Sequence, residues 1–322
     1  MISEQGTMSH WKVLIVDDIH PVFLERLDQI GVIYTYRPDI TLEEALEILP
    51  DYEVLIIRSK FKVGEQVFER AGNLKCIGRA GAGMDNIDDE LARQKGVVLL
   101  NAPEGNCDAV AEHAMGMLLS LLNNLSKGDK EIRKGLWLRE PNRGVELGGK
   151  TIALIGYGNN GQAMARKLAG FDVRVIAYDK YKTGFSNVYA EEASMEQVMK
   201  EADVLSLHIP LTSETRNLIN HMYLEQFNKP IFFLNTSRGE IVDISALLTQ
   251  LDQGKVLGAA LDVLPVEKFP ALSQTEWYEG LMASEKVLLT PHVAGWSVQS
   301  YYKIAAILAD KLIQFLGLKI NA

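Results

Sequence analysis

Short apolar runs alternate with helix-spaced stretches along this chain, and few folds accept that alternation. The runs KVLIVDD (12–18), EVLIIRS (53–59), CIGRAGAGMDNID (76–88) and VVLLNAP (97–103) come first, with the helical stretch PVFLERLDQIG stopping at Gly31. Short buried strands separated by helices imply a parallel sheet covered on both faces. A helix through AVAEHAMGMLLSLLNNL (109–125) interrupts the pattern. It is apolar nearly all round, so it should be buried between layers or between subunits. The polar stretch SKGDKEIRKGLWLREPNRG ends it. Six further strand candidates follow: TIALIGYG (151–158), DVRVIAYD (172–179), DVLSLHIP (203–210), PIFFLNTS (230–237), VLGAALDV (256–263) and KVLLTPH (286–292). The last helix, SVQSYYKIAAILADKLIQFLG (297–317), lies beyond this second sheet and can cross back to the first. The expected class is α/β, with two Rossmann-like, doubly wound parallel-sheet domains. One is discontinuous, from residues 1–104 and 294–322; the other spans 105–293.

The length of 322 residues suits about two domains. Composition then removes several classes of function. A net charge of −9 offers no footing for a phosphate backbone, so nucleic acid is not an expected partner. Cys76 and Cys107 are too few for a disulfide framework or a metal knot, so no metal is expected and a reduced, cytoplasmic setting fits. The start, MISEQGTMSHWK, has no apolar signal core, and the first eleven residues read as a floppy lead. Apolar stretches such as AMGMLLSLL are too short to cross a bilayer, so no membrane partner is expected.

IALIGYGNNGQAMARKL places Gly156, Gly158 and Gly161 as G-x-G-x-x-G, after an apolar strand and at the opening of a helix. In that context the glycines allow a tight turn and close approach of backbone to a pyrophosphate, with free N–H groups at the helix start. Asp179 stands 18 residues past Gly161, at the end of the next strand. A carboxylate there accepts bonds from ribose hydroxyls and repels a 2′-phosphate, which favours NAD over NADP. Lys180 and Lys182 beside it work against that preference, and a plain turn-capping Asp is the competing reading.

Arg238 in NTSRG, Glu267 in LDVLPVE and His292 in TPHVAGW fall at C-terminal ends of strands in the second sheet, where ligands bind. Singly they read as a solvated arginine, a surface glutamate and a histidine satisfied by a carbonyl. Together, where a nicotinamide should lie, they are harder to dismiss.

With GRAGAGMDNID, NAPEGNCDAVAEH, GYGNNG, LHIPLTSETRNLIN, NTSRGEIVD, GAALDVLPVE and PHVAGW, almost the whole chain resembles the D-isomer-specific 2-hydroxyacid dehydrogenases. The resemblance implies an Arg238–Glu267–His292 active site that reduces a 2-keto acid, and an NAD site. His292 would supply the proton, with Glu267 favouring the imidazolium. Arg238 would hold the substrate carboxylate and polarise the C2 oxygen by a fork geometry that Lys cannot copy, and the amides of Gly81, Ala82 and Gly83 would form an anion nest. The NAD site would include Asn159, Asn160, His208, Pro210, Thr236, Ser237, Asp262 and Gly295, with Asp262 on the nicotinamide carboxamide. It implies that residues 105–293 bind the dinucleotide, that the discontinuous domain binds a 2-hydroxy or 2-keto acid through Gly81–Gly83, and that two chains dimerise through the helix 109–125. One departure is Asn160, where the family usually carries an apolar residue. Arg58, Ser59 and Lys60 resemble the segment that meets the substrate's distal end in 3-phosphoglycerate dehydrogenases, and a cation pair there suits a phosphate. A short 3-phosphoglycerate dehydrogenase-like enzyme, ending at Ala322 without a serine-sensing domain, is the leading expectation. The alternatives are a glyoxylate or hydroxypyruvate reductase and a dinucleotide-sensing corepressor of the same superfamily.

Overall fold

The computed structural model describes residues 11–318, and the lead expected over residues 1–11 falls, but for Trp11, outside them. Trp11 itself packs its ring against Phe315 with centroids 5.6 Å apart. The chain divides into two compact units, one running to Asn106 and resuming at Ser297, the other Cys107–Trp296.

The first unit is built from β1 (Lys12–Ile15), α1 (Val22–Gln29), β2 (Ile33–Tyr36), α2 (Leu42–Ile48), β3 (Val54–Ile57), α3 (Glu65–Arg70), β4 (Cys76–Arg79), α4 (Asp89–Gln94) and β5 (Val98–Leu100). Its sheet is parallel throughout, in the order β2-β1-β3-β4-β5. β1 and β3 lie inside it and bury nearly every side chain, as their unbroken apolar runs require. β2 was not expected. It is an edge strand paired only with β1, and its side chains are partly exposed, so it carries no continuous apolar run.

The second unit holds α5 (Cys107–Leu122), α6 (Leu125–Arg133), β6 (Thr151–Ile155), α7 (Asn159–Leu168), β7 (Arg174–Tyr178), β8 (Glu191–Glu192), α8 (Met195–Glu201), β9 (Val204–Leu207), α9 (His221–Glu225), β10 (Ile231–Asn235), α10 (Ile244–Asp252), β11 (Val256–Leu261), α11 (Tyr278–Ala283) and β12 (Val287–Leu289). The order is β12-β11-β10-β9-β6-β7-β8, all parallel, which makes the gap between β6 and β9 the point where the winding reverses. β8 adds an edge strand of two glutamates that no apolar pattern could announce.

α5 buries Ala111, Ala114, Met115, Met117 and Leu118 within its own unit, in one core with Ala163, Met164 and Leu168 of α7. Packing within the chain therefore accounts for its apolar character. The helix breaks at Asn124, which takes a left-handed φ of 53°, and α6 continues into what composition suggested was a polar tail. Leu125, Ile132, Leu136, Trp137 and Leu138, on and after α6, are exposed, Trp137 to 78%.

α12 (Val298–Phe315) returns to the first unit. Ser297 and Ser300 form its capping box. Ile304, Leu308 and Leu312 are buried with Phe23 and Leu27 of α1 and with Val54 and Ile56 of β3. Each such leucine contributes about 1.5–3 kcal/mol of burial. Among the described residues no helix is long and apolar enough to cross a membrane.

Candidate active site

The C-terminal ends of β6, β7, β9, β10, β11 and β12 carry the residues singled out in the second unit. At β6, Gly156 has φ +95°, and a Cβ on it would lie 2.4 Å from the His208 carbonyl oxygen at the end of β9. A Cβ on Gly161 would lie 2.2 Å from the Gly156 oxygen, so α7 starts hard against the loop, whereas one on Gly158 would meet no protein atom within 4 Å. Asn159 and Asn160 open α7. The loop is thus tight on the protein side and open on the other.

Two buried polar atoms flank it without hydrogen-bond partners, His208 Nδ1 and Thr236 Oγ1. Burial pushes the His208 imidazole down to about 4, so it is neutral near pH 7. Ser206 Oγ lies 3.0 Å from His208 Nε2. With the serine proton directed there, His208 Nδ1 carries a proton and can donate to a ligand. Ser237 is spent on the Leu207 carbonyl at 2.8 Å. The Pro210 carbonyl accepts from Thr215 at 2.8 Å. A glycine cradle, a helix start and two orphaned polar atoms at the reversal point fit a dinucleotide.

Asp179 is engaged by three amides: Tyr157 at 2.8 Å, Tyr181 at 3.0 Å and Lys182 at 3.1 Å. The turn-capping geometry is therefore present, and it ties the glycine loop to the β7 end. Lys180 is paired with Glu214, and Lys182 Nζ reaches the Tyr157 carbonyl at 3.3 Å.

Arg238 follows β10 and is held from behind. The side chain of buried Asn235 donates to the Arg238 carbonyl at 2.9 Å and accepts from the Ser237 amide at 3.0 Å. Gly239 explains why a glycine must follow: a Cβ there would fall 1.9 Å from the Leu264 carbonyl carbon and 2.4 Å from Pro265 N. The Arg238 loop thus lies backbone to backbone on the segment that leads into Glu267. His292 Nδ1 sits 2.9 Å from Glu267 Oε2, with side chains 47% and 41% exposed. The Glu267 hydrogen bond raises the His292 pKa above its ordinary value, opposed by burial and by Arg238 and helped by Asp262.

His292 has φ +54°, a left-handed conformation uncommon outside glycine and costing of order 1–3 kcal/mol. Asp262, 2% exposed, is bonded to this turn. Its carbonyl accepts the His292 amide at 2.8 Å, and its carboxylate accepts Val293 and Ala294 N–H, each at 2.9 Å. Gly295 follows directly. Thr290 donates to Asp262 Oδ1 at 2.6 Å, and His113 Nε2 on α5 lies 3.0 Å from the Thr290 hydroxyl. Neither Thr290 nor His113 was singled out from the sequence, although both stand inside quoted motifs.

In the first unit, the reversal point lies between β1 and β3. Asp17 Oδ2 there accepts the amides of Arg58, Ser59 and Lys60 at 2.7, 2.9 and 3.0 Å. The Lys60 ammonium is bonded to the Pro38 carbonyl. Asp18 accepts from Tyr301 at 2.7 Å. The cation pair expected at 58 and 60 is thus accompanied by two carboxylates. The Gly81 N–H is spent on the Arg79 carbonyl at 2.8 Å, which narrows the expected anion nest to Ala82 and Gly83. The Ala82 carbonyl accepts from Asn101 Nδ2 at 2.6 Å. The Arg79 guanidinium, also unforeseen, lies where a Gly81 side chain would begin, with Nη1 1.4 Å from the Cβ position.

Residues 115–294 match the family model described as D-isomer specific 2-hydroxyacid dehydrogenase, NAD binding domain. A hydroxypyruvate reductase of Thermotoga maritima is 35% identical over 276 residues, covering 86% of this chain and 89% of that one. A D-3-phosphoglycerate dehydrogenase of Archaeoglobus fulgidus is 33% identical over 94% of this chain but 56% of its own length, so this chain spans about half of that relative. Among solved structures, a D-lactate dehydrogenase of Aquifex aeolicus complexed with NAD and lactic acid superposes with a TM-score of 0.79 at 25% identity, covering 95% of each chain.

Proposed function

This chain belongs to the D-isomer-specific 2-hydroxyacid dehydrogenase family and is an NAD-dependent oxidoreductase; we propose that it reduces a small 2-keto acid, with His292 as proton donor. The observation that carries the proposal is the His292–Glu267 pair at 2.9 Å, on a loop segment against which the Arg238 loop is pressed. Bound NADH supplies the hydride that C2 accepts. Because Nδ1 is turned to Glu267, Nε2 is the atom left to give the proton to the C2 oxygen. Glu267 stabilises the protonated ring, and Arg238 holds the substrate carboxylate and draws charge onto the C2 oxygen. In the reverse direction neutral His292 takes the proton back.

On the substrate's far end, an unphosphorylated group as in hydroxypyruvate or glyoxylate is the first reading. Asp17 already fills the amides of residues 58–60, the Lys60 ammonium is engaged, and Asp18 adds negative charge, so little net positive field is left for a phosphate dianion. Phosphohydroxypyruvate is the second reading, favoured by Arg58 and by the phosphoglycerate dehydrogenase relatives. NADH oxidation measured against phosphohydroxypyruvate, hydroxypyruvate, glyoxylate and pyruvate decides between them. If phosphohydroxypyruvate leads, Arg58→Ala with Lys60→Ala should raise its KM and spare glyoxylate. Binding of NADH with little reduction of any 2-keto acid would instead support the dinucleotide-sensing reading.

Asp179→Ser should weaken NADH by about 1–3 kcal/mol and narrow its advantage over NADPH. Since Asp179 also ties three amides, a lower Tm should accompany the change. Equal use of NADPH by the unaltered enzyme would sink the assignment of Asp179 to the ribose.

A homodimer is also part of this reading. Its surface is the exposed Leu125, Ile132, Leu136, Trp137 and Leu138 rather than the enclosed face of α5. Light scattering should give twice the chain mass of 35.8 kDa, and Trp137→Arg should shift it toward the single-chain value. A single-chain mass at low micromolar concentration for the unaltered protein refutes the dimer.

A further inference from the structure

We propose that Thr290 and His113 are positioning residues which, through Asp262, hold His292 in its left-handed conformation and against Glu267. A hydroxyl has one proton. Thr290 gives it to Asp262 Oδ1 at 2.6 Å rather than to the Met117 sulfur at 3.6 Å. Its oxygen is then the acceptor for His113 Nε2–H at 3.0 Å. The same Asp262 oxygen accepts the Val293 amide and its neighbour accepts that of Ala294. The relay therefore runs from α5 to the two peptide groups that follow His292. His113 Nε2 is itself 3.6 Å from Asp262 Oδ1, so the ring lies beside the carboxylate while its hydrogen bond goes to the Thr290 hydroxyl.

Asp262 needs this support. It is buried, with the Thr290 hydroxyl and the Val293 amide on Oδ1 and the Ala294 amide on Oδ2, so its carboxylate is bonded to the two residues that follow His292 at its positive φ. Remove the Thr290 hydroxyl and Oδ1 keeps only the Val293 amide as a close donor. The loop can then relax toward ordinary backbone, carrying the imidazole away from Glu267. The groups that face His292 are Glu267 from the loop after β11, Asp262 from the end of β11 and Arg238 from the loop after β10. Of these, the Glu267 contact depends most on distance, and it is the one that raises the affinity of His292 for a proton.

The inference rests on His292 being the proton donor, so His292→Ala is measured alongside. Thr290→Val keeps the shape of the side chain and removes the hydroxyl. Its kcat for keto-acid reduction should fall about ten- to a hundredfold, as expected for a displaced catalytic group. The alkaline limb of its kcat/KM profile should move to lower pH, while the Kd for NADH stays within about twofold. Thr290→Ser should restore both the rate and the limb. His113→Leu, at a side chain 26% exposed, should move the limb in the same direction and serves if Thr290→Val does not fold. A variant that lowers only Tm, with limbs at their original pH, overturns the positioning role. If His292→Ala itself keeps full activity, the proton-donor assignment fails instead, and the two failures are told apart.

Discussion

His292→Ala should lower kcat by about 10²–10⁴, the span expected when a general acid is removed, and should leave NADH binding intact because the glycine loop is untouched. The companion variant Glu267→Gln keeps the shape of the side chain and removes its charge. In the folded protein Glu267 raises the His292 pKa above the ordinary value of about 6.5, so the variant lowers it. Reduction needs protonated His292, so activity is lost as pH rises through that pKa. The alkaline limb of kcat/KM therefore moves to lower pH in Glu267→Gln. Oxidation needs neutral His292, and its acid limb moves the same way. If Glu267 only anchored its loop, the rate would fall uniformly and stability with it, with no limb displaced. Coincident limbs in a slow variant would therefore remove Glu267 from the proposed chemistry.

Gly239→Ala is expected to be nearly as damaging, though Gly239 touches no reacting atom. The added carbon would meet the backbone of Leu264 and Pro265 well inside contact distance, and backbone cannot rotate away as a side chain can. The Arg238 loop and the Glu267 segment must part. Overpacking of this kind costs about 1–3 kcal/mol of stability. A displacement of order 1 Å at a catalytic group also costs about 10² in rate. Rates taken well below the variant's Tm separate the two effects. A folded Gly239→Ala protein with the original kcat/KM would show that the contact carries no positioning.

Much of this site was legible because it is built at strand ends. An apolar run locates the strand, and the first charged residue after it, such as Arg238 after Ile231–Asn235 or Asp179 after Arg174–Tyr178, locates the rim. Interior strands such as β3 and β10 were equally plain, since burial on both faces demands unbroken apolar side chains. β2 and β8 escaped because edge strands need bury only part of their surface. α6 escaped because it is short and mostly polar, with Leu125 and Ile132 its only large apolar side chains. The Thr290–His113 contact joins residues 177 apart, and no local pattern of spacing encodes it. The same holds for Asp17, whose three amide partners lie 41 to 43 residues away. Only the fold reveals that the amides after β3 are already occupied.

The return of α12 to the first unit sets an order in time. A chain emerging from the ribosome presents β1 through β5 first, with Phe23, Leu27, Val54 and Ile56 awaiting a helix that is made almost two hundred residues later. The second unit, unbroken from Cys107 to Trp296, has all its partners as soon as it is complete. It can close while the first still shows an apolar face, one suited to capture by a chaperone. Completion of the first unit is thus a late event, and substitutions on the buried side of α12, such as Leu308→Asp, should reduce the yield of folded protein before they touch any property of the finished enzyme.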